Sequence, residues 1–505
     1  MKKIIYIILS LSLLVTSCNL DKKKAGAIDT GMAVESLQDA ANVRNYLYLR
    51  LRGMSAGSPV YFNELSADIF HASMAFGNRG GTTYRWEWLS TESISESLWS
   101  YNYYTTAIAN FLLEKMEGLD QSTMSDIQKD SLNTFKGECY FFKALTMFDL
   151  AQRYCDVYDP ATASSALGVM LVDKYAPTSD PSKYPGRSSL ADTYSYIDRN
   201  MTQAADILKK VNGTVASMFL TGDAVSALQA RIALVKGDYD TAIRLSTALV
   251  DSGKYPLIDN VEDFNKLWTD DSGKECMMQL YADYAASSLP SSLSYNYISK
   301  AADGKYSPDY ILEKWIVDLY APEDIRLKTW LQKQTLTYGT ITGSAYILTK
   351  FPGNPALQDP TKKTSDYINK IKLFRIAEQY LIAAEAYARK TGNDGLASKY
   401  LNDLRAKRIR EYTAQDYTGA TLLNEIKQER VRELIGEGFR FLDLKRYKTG
   451  FTRSAAQNTD IISNAGGSNT EFLRIEPSNF RFLWPIPQAE IDANPQIKNQ
   501  QNKGY

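Results

Sequence analysis

A single histidine, four cysteines and no excess of either charge mark this 505-residue chain before anything else does. His71 alone cannot build a His-rich metal site, and any mechanism needing a histidine base has only this one to use. Four cysteines over such a length exclude a disulfide framework. Lys+Arg and Asp+Glu both number 58, and that balance argues against nucleic acid as a partner, because phosphate binding needs a basic surplus. Long hydrophobic runs are also missing: the longest, residues 4–15, falls well short of the about 20 residues a spanning helix needs. Hydrophobic residues make up 44% and charged residues 23%, ordinary for a globular protein that is large enough to fold without staples. What is abundant is tyrosine, 34 residues against 18 Phe and 7 Trp. A tyrosine joins an apolar face to a polar tip and suits half-wet surfaces, although most are expected simply to pack between helices.

Met1-Lys2-Lys3 followed by the short apolar run predicts a signal peptide over residues 1–17. The run ends in Val15-Thr16-Ser17-Cys18, which resembles a bacterial lipobox. That resemblance implies cleavage before Cys18 and acylation of its thiol, and two or more acyl chains anchor a protein stably to a membrane. The alternative is a plain secretory signal with a chance cysteine. Residues 18–30, with Asp21-Lys22-Lys23-Lys24, read as a flexible tether. Cys139, Cys155 and Cys276 remain, an odd number, expected as buried free thiols.

The body carries helical periodicity over 33–56, 92–117, 125–153 and 189–210, the last after a Pro- and Ser-rich loop at 156–187. Two paired units follow. Ala224, Leu228, Ile232 and Val235 form one stripe, Lys236-Gly237-Asp238 breaks it, and Tyr239, Ala242, Ile243, Ser246, Leu249 and Val250 form the next. Leu373, Ala377, Leu381, Ala384 and Ala388, then Thr391-Gly392-Asn393-Asp394, then Ala397, Leu401 and Leu404 repeat the scheme. Small residues let two axes approach, and stacked pairs bury faces that neither pair buries alone, as in tetratricopeptide repeats. Residues 57–90 and 253–365 differ: they are loop-rich, with short strand-like runs at 275–281 and 346–351. The expected fold is therefore mainly α, a tetratricopeptide-like superhelix of helix pairs with an irregular, loop-rich side. The expected boundaries are 31–252, 253–365 and 366–505.

The C-terminal third is more specific. Arg375-Ile-Ala-Glu378-x-Tyr380-Leu-x-Ala-Ala-Glu385-Ala precedes Glu429-Arg430-x-x-Glu433-Leu434-x-x-Glu437-Gly438-x-Arg440-x-x-Asp443-Leu444-x-Arg446. Pro485-Ile-Pro487-x-x-Glu490-Ile491-x-x-Asn494-Pro495 and a final Gln501-Asn502-x-Gly504-Tyr505 complete the series. This pattern resembles the RagB/SusD family of outer-membrane nutrient-uptake lipoproteins, and Trp99-x-x-x-Tyr103 through Ala107-Ile-Ala-Asn110 resembles its early helix. The resemblance implies a non-catalytic protein, lipid-anchored at the outer membrane. It would capture oligosaccharide or peptide at the cell surface and pass it to a SusC-like, TonB-dependent β-barrel transporter. No cofactor and no metal are implied. Asn19 to Lys24, directly after Cys18, hold a single acidic residue, so surface exposure rests on the resemblance more than on that segment.

Glu433, Glu437, Arg440, Asp443 and Arg446 could suggest paired carboxylates for glycoside hydrolysis. Their alternating signs on a helix expected to end near Gly438 favour ion pairs between helices instead. His71 reads as a satisfied loop histidine. For ligand contact, residues 77–90 offer Asn78, Arg79 and the alternating Tyr84, Trp86 and Trp88, which an extended segment would place on one side. Gly80 and Gly81 would permit close backbone approach. Inward packing of the three aromatics is the competing reading. Tyr281, Tyr284, Tyr295 and Tyr297 form a second candidate group. Two other function classes stay open: a helical-toroid glycosidase, and a helical-repeat scaffold that binds only proteins.

Overall fold

The computed structural model describes residues 34–284, 294–453 and 456–505, without the side chains of Ser294 and Tyr295. The leader, Cys18, the tether and the Tyr295 side chain lie outside that description. Helices dominate. The fold opens with α1 (Leu37–Ser55), the short α2 (Ser58–Leu65) joined to it by a bend, and the long α3 (Ser93–Glu117) and α4 (Asp126–Tyr154). Three of the four start at a cap or a proline. Ser36 accepts from the Asp39 amide at the start of α1, and Ser125 with Gln128 forms a reciprocal capping box on α4. Pro59 occupies the first turn of α2, where its missing N–H costs nothing.

α5 (Leu190–Leu208) packs along α4 and leads into the first repeat-like pair, α6 (Gly222–Lys236) and α7 (Tyr239–Asp251). Gly237 sits at φ 78° and closes α6, and Asp238 caps α7 by accepting from the Thr241 amide. The left-handed turn thus occupies the Lys236-Gly237-Asp238 break in the stripe. After α8 (Val261–Thr269), α9 (Lys314–Asp318) and α10 (Ile325–Trp330), the second pair follows as α11 (Ile376–Ala388) and α12 (Asp394–Arg408). α11 packs on α7, so the two pairs stack into one array. Ala377, Ala383, Ala384 and Ala386 are fully buried there, letting the axes approach. α13 (Gly419–Leu434) and α14 (Arg440–Tyr447) close the array.

Strands are short and paired in twos, all antiparallel. β1 (Phe70–Ala72) pairs β3 (Tyr310–Leu312), and β2 (Cys276–Gln279) pairs β6 (Lys372–Arg375). The hairpin β4 (Leu331–Tyr338) and β5 (Ile341–Leu348) turns at Gly339, and β7 (Phe451–Thr452) pairs β8 (Arg474–Ile475). Of the expected strand at 346–351, residues 346–348 are the end of a longer one that starts at Ile341, and 349–351 lie beyond it. The main core runs from α1–α4 through the 84–88 segment to Trp484. Trp484 packs on Phe62 with ring centroids 4.0 Å apart, and the Asn502 amide donates to the Tyr154 and Trp484 carbonyls. The Pro485-Ile-Pro487 and Gln501-Asn502 motifs therefore tie the C-terminus back onto α2 and α4. Cys139, Cys155 and Cys276 are buried free thiols.

The structure corrects the reading of Tyr84, Trp86 and Trp88 as a ligand-facing stripe. Gly81–Tyr84 is a single helical turn and Trp86 has φ 58°, so the segment is not extended and period two does not apply. The three side chains are 1–3% exposed. Trp86 donates its indole N–H to the Ser66 carbonyl at 2.7 Å and packs against Phe441, Phe451 and Phe482. A large aromatic buries about 150–250 Å², worth roughly 4–6 kcal/mol as an upper bound, and core packing wins over display. Tyr297 is corrected likewise: fully buried, it stacks on Phe70 at 4.6 Å and 6°. His71 lies in β1, not in a loop, with Nε2 3.2 Å from the Glu313 carboxylate. α13 ends at Leu434, not near Gly438; Gly436 and Gly438 both take positive φ in the turn that follows.

Candidate functional site

Aromatic side chains form the floor of a loop face. Tyr61, Phe70, Phe76, Tyr84, Tyr297 and Tyr310 make successive ring contacts at 4.6–6.3 Å. On this floor rests the tight turn at residues 77–81. Gly77, Asn78 and Gly80 all have positive φ, and a Cβ on Gly80 would come within 2.7 Å of the Leu65 side chain. The close approach foreseen for Gly80 and Gly81 is thus to the protein itself: a Cβ on Gly81 would meet Asn78 Oδ1 at 2.0 Å.

Two of the predicted contact residues stand on this turn and are exposed. Asn78 accepts from Arg85 Nη1 at 2.8 Å through Oδ1. Arg79 holds both carboxylate oxygens of Asp309, and its backbone carbonyl accepts from the Tyr310 hydroxyl. The Asp309 bond raises the Arg79 guanidinium above its ordinary range, so it stays charged while 59% of its side chain is open to solvent. Neighbouring loops frame the turn. Residues 461–463 pair with 72–74, the Ala465 carbonyl accepts from Arg85, and Tyr338 of β4 donates to the Pro308 carbonyl. Asp309 and the 461–469 loop were not legible in the sequence, because they lie more than 200 residues from Arg79 in the chain and carry no motif.

Tyr281 and Tyr284 are exposed, at 59% and 44%, where β2 runs out towards residue 285. Tyr281 donates to Asp283 Oδ2 at 3.1 Å. Among the described residues, no hydrogen bond or ring contact joins either tyrosine to the 77–81 turn. The structure therefore brings Asn78 and Arg79 together and leaves the two tyrosines as a separate patch. Among the described residues, no group of three or more His, Cys, Asp or Glu is placed to hold a metal ion.

The carboxylates of the C-terminal motif are fully engaged elsewhere. Glu433 bonds Arg326, Arg375 and Arg408 at 2.6–3.1 Å; Glu429 bonds Arg326, Arg405 and Arg432 at 2.6–2.8 Å. Glu437 bonds Arg375 and Lys350, and Asp443 bonds Arg430 and Arg446. Burial opposes the charge on Glu433 and Glu429, yet the surrounding guanidinium groups hold both well below the usual carboxylate range. A general acid needs the opposite shift. A cavity of ≈ 200 Å³ lies beside this network, with Arg231–Glu378 and Arg430–Asp443 in its wall as closed pairs.

With this geometry in place the comparisons are informative. Residues 328–505 match the family model described as SusD family, and residues 20–234 match one described as starch-binding associating with outer membrane. The chain belongs to the SusD/RagB family. Its fold agrees. A SusD superfamily protein from Bacteroides thetaiotaomicron VPI-5482 is 26% identical with a TM-score of 0.76, covering 92% of this chain and 99% of its own. A SusD-like carbohydrate binding protein from Bacteroides vulgatus ATCC 8482 is 18% identical with a TM-score of 0.75, covering 93% and 99%. A laminarin binding SusD-like protein is 18% identical with a TM-score of 0.69, covering 94% and 100%. No curated protein matches by sequence. As a SusD-family member the chain is a binding protein and not an enzyme.

Proposed function

We propose that this protein captures oligosaccharide at the outer membrane and hands it to a SusC-like, TonB-dependent β-barrel transporter, with a lipid on Cys18 as its anchor. Family membership carries the reading, together with the family description of starch binding and association with the outer membrane. The loop face supports it in detail. Asn78 and Arg79 offer amide and guanidinium donors on a turn whose backbone is fixed from below by Leu65, Tyr61 and Tyr310, and preorganised donors bind at low entropic cost. Tyr281 and Tyr284 offer exposed aromatic faces suited to sugar C–H surfaces. A peptide is the second reading, because Arg79 could equally take a peptide carboxylate. A glycan array and a peptide library presented to the purified protein decide between them. Specific glycan retention supports the proposal; retention of peptides alone, or of nothing, contradicts it. Co-purification of a β-barrel transporter from detergent-solubilised membranes tests the partner.

A further inference from the structure

The outer side of α13 and α14 carries a second concavity, a groove of ≈ 480 Å³. That volume lies within the roughly 300–1,000 Å³ usual for small-ligand sites. Asn424, Lys427 and Gln428 line it at three- and four-residue spacing, so they share one face of α13. Asp68, Trp315 of α9, Arg440 at the start of α14, Tyr447 and Thr452 of β7 are among the rest of its lining.

Its charges are unevenly matched. Arg440 gives Nε and Nη2 to the two oxygens of Asp68 at 2.7 Å each. Its guanidinium plane is thereby fixed, and Nη1 has no hydrogen-bond partner among the described residues. Lys427 has no carboxylate or hydrogen-bond partner among them either; its ammonium lies 4.5 Å from the centre of the Tyr447 ring. The hydroxyl of that tyrosine is held by Glu385 at 2.9 Å. Partial burial, then Arg389, Arg446 and Arg440, pull Lys427 below the ordinary lysine range, with Glu385 opposing. An unpaired ammonium in a positive field is relieved by an arriving anion. Trp315 supplies the other element. Its indole N–H donates to the Asp68 carbonyl at 2.8 Å, which locks the ring, and the side chain is only partly covered. The Gln428 side-chain oxygen accepts from Arg432, so its amide N–H groups are not used in that bond.

We propose that this groove binds a sugar unit bearing an anionic substituent, a carboxylate or a sulfate ester. Lys427 Nζ and Arg440 Nη1 take the anion, the Trp315 ring takes a sugar face, and Asn424 and Gln428 take hydroxyls. The site is separate from the loop face and stands or falls independently of it. Calorimetric titration of the whole protein with trigalacturonate, with a sulfated galactose trisaccharide and with maltotriose tests it. Two variants bear on the groove, Lys427→Gln and Trp315→Ala; Lys399→Gln, a lysine on α12, is the control, and thermal melts accompany all three. The expected result is millimolar or tighter binding of an anionic trisaccharide that weakens with added salt. Lys427→Gln should weaken it at least tenfold with an unchanged melt, and Lys399→Gln should leave it as in wild type. Binding of trigalacturonate alone assigns the carboxylate, and binding of the sulfated trisaccharide alone assigns the sulfate. Absence of binding by both anionic probes overturns the proposal. So does anionic binding that survives Lys427→Gln unchanged, or maltotriose binding as tightly as they do.

Discussion

Trp86 and Trp88 share a sequence pattern with exposed sugar platforms and a structure with core residues. Alternation of aromatics implies one-sidedness only if the backbone is extended, and here Gly80, Gly81 and a left-handed Trp86 curl it inward. Trp86→Ala and Trp88→Ala should each cost about 3–5 kcal/mol of stability, the range for truncating a buried large aromatic. Urea denaturation checks this, and midpoints equal to wild type would mean the indoles are not core. Arg79 and Asn78, by contrast, were legible as exposed polar turn residues because Gly77-Asn78 and Gly80-Gly81 punctuate the chain around them. Glu64 illustrates what the sequence hides. Fully buried on α2, it accepts the Gly438 amide at 2.6 Å, and burial pushes its carboxyl up to about 7. The folded state thus favours the proton more than the unfolded chain does. This contribution is complete below about pH 4.5 and is lost as pH rises through about 7. Stability of Glu64→Gln relative to wild type should therefore increase between pH 4.5 and 8, by up to about 3 kcal/mol. Parallel pH profiles for the two proteins would refute it.

At the scale of elements, α13 is held by charge. Its Glu429 and Glu433 each take three arginines contributed by α10, α12, the end of β6 and α13 itself. Desolvation makes such a network costly to break, whatever its net contribution. Glu433→Gln should lose about 3–5 kcal/mol, read from the urea midpoint; a change below 1 kcal/mol would mean that water already screens these charges. The acid response follows the opposite sign from Glu64. Burial would raise Glu385, but Arg446 outweighs it and holds the group at about 2. Stabilisation by Glu385, Glu429 and Glu433 is complete above about pH 4.5 and is lost as pH falls towards and below 2. The alternating charges of the motif announced ion pairs between helices, and the Ala stripes with glycine breaks announced both repeat pairs. Partners such as Arg326 were not legible, because long-range pairing leaves no local period. α2 and β4 went unread for a related reason: each is only eight residues long and is fixed by tertiary packing more than by its own pattern.

For the whole molecule, the proposed lipid on Cys18 would hang a helical array carrying a loop face from the membrane. Among the described residues no helix is long and apolar enough to cross a membrane. Cys18→Ala should therefore move the protein from the membrane fraction to the soluble one; wild-type recovery in the membrane fraction would remove the anchor from the account. The central claim is glycan capture by the exposed groups Arg79, Tyr281 and Tyr284. Its most direct test is calorimetry of the array-selected glycan against wild type and the Arg79→Ala, Tyr281→Ala and Tyr284→Ala variants, each first shown to melt as wild type. Truncating a binding hot spot commonly costs about 2 kcal/mol or more, which is roughly a thirtyfold loss of affinity. The account predicts such a loss in at least one of the three variants. Unchanged affinity in all three would contradict it and place the glycan elsewhere on the molecule.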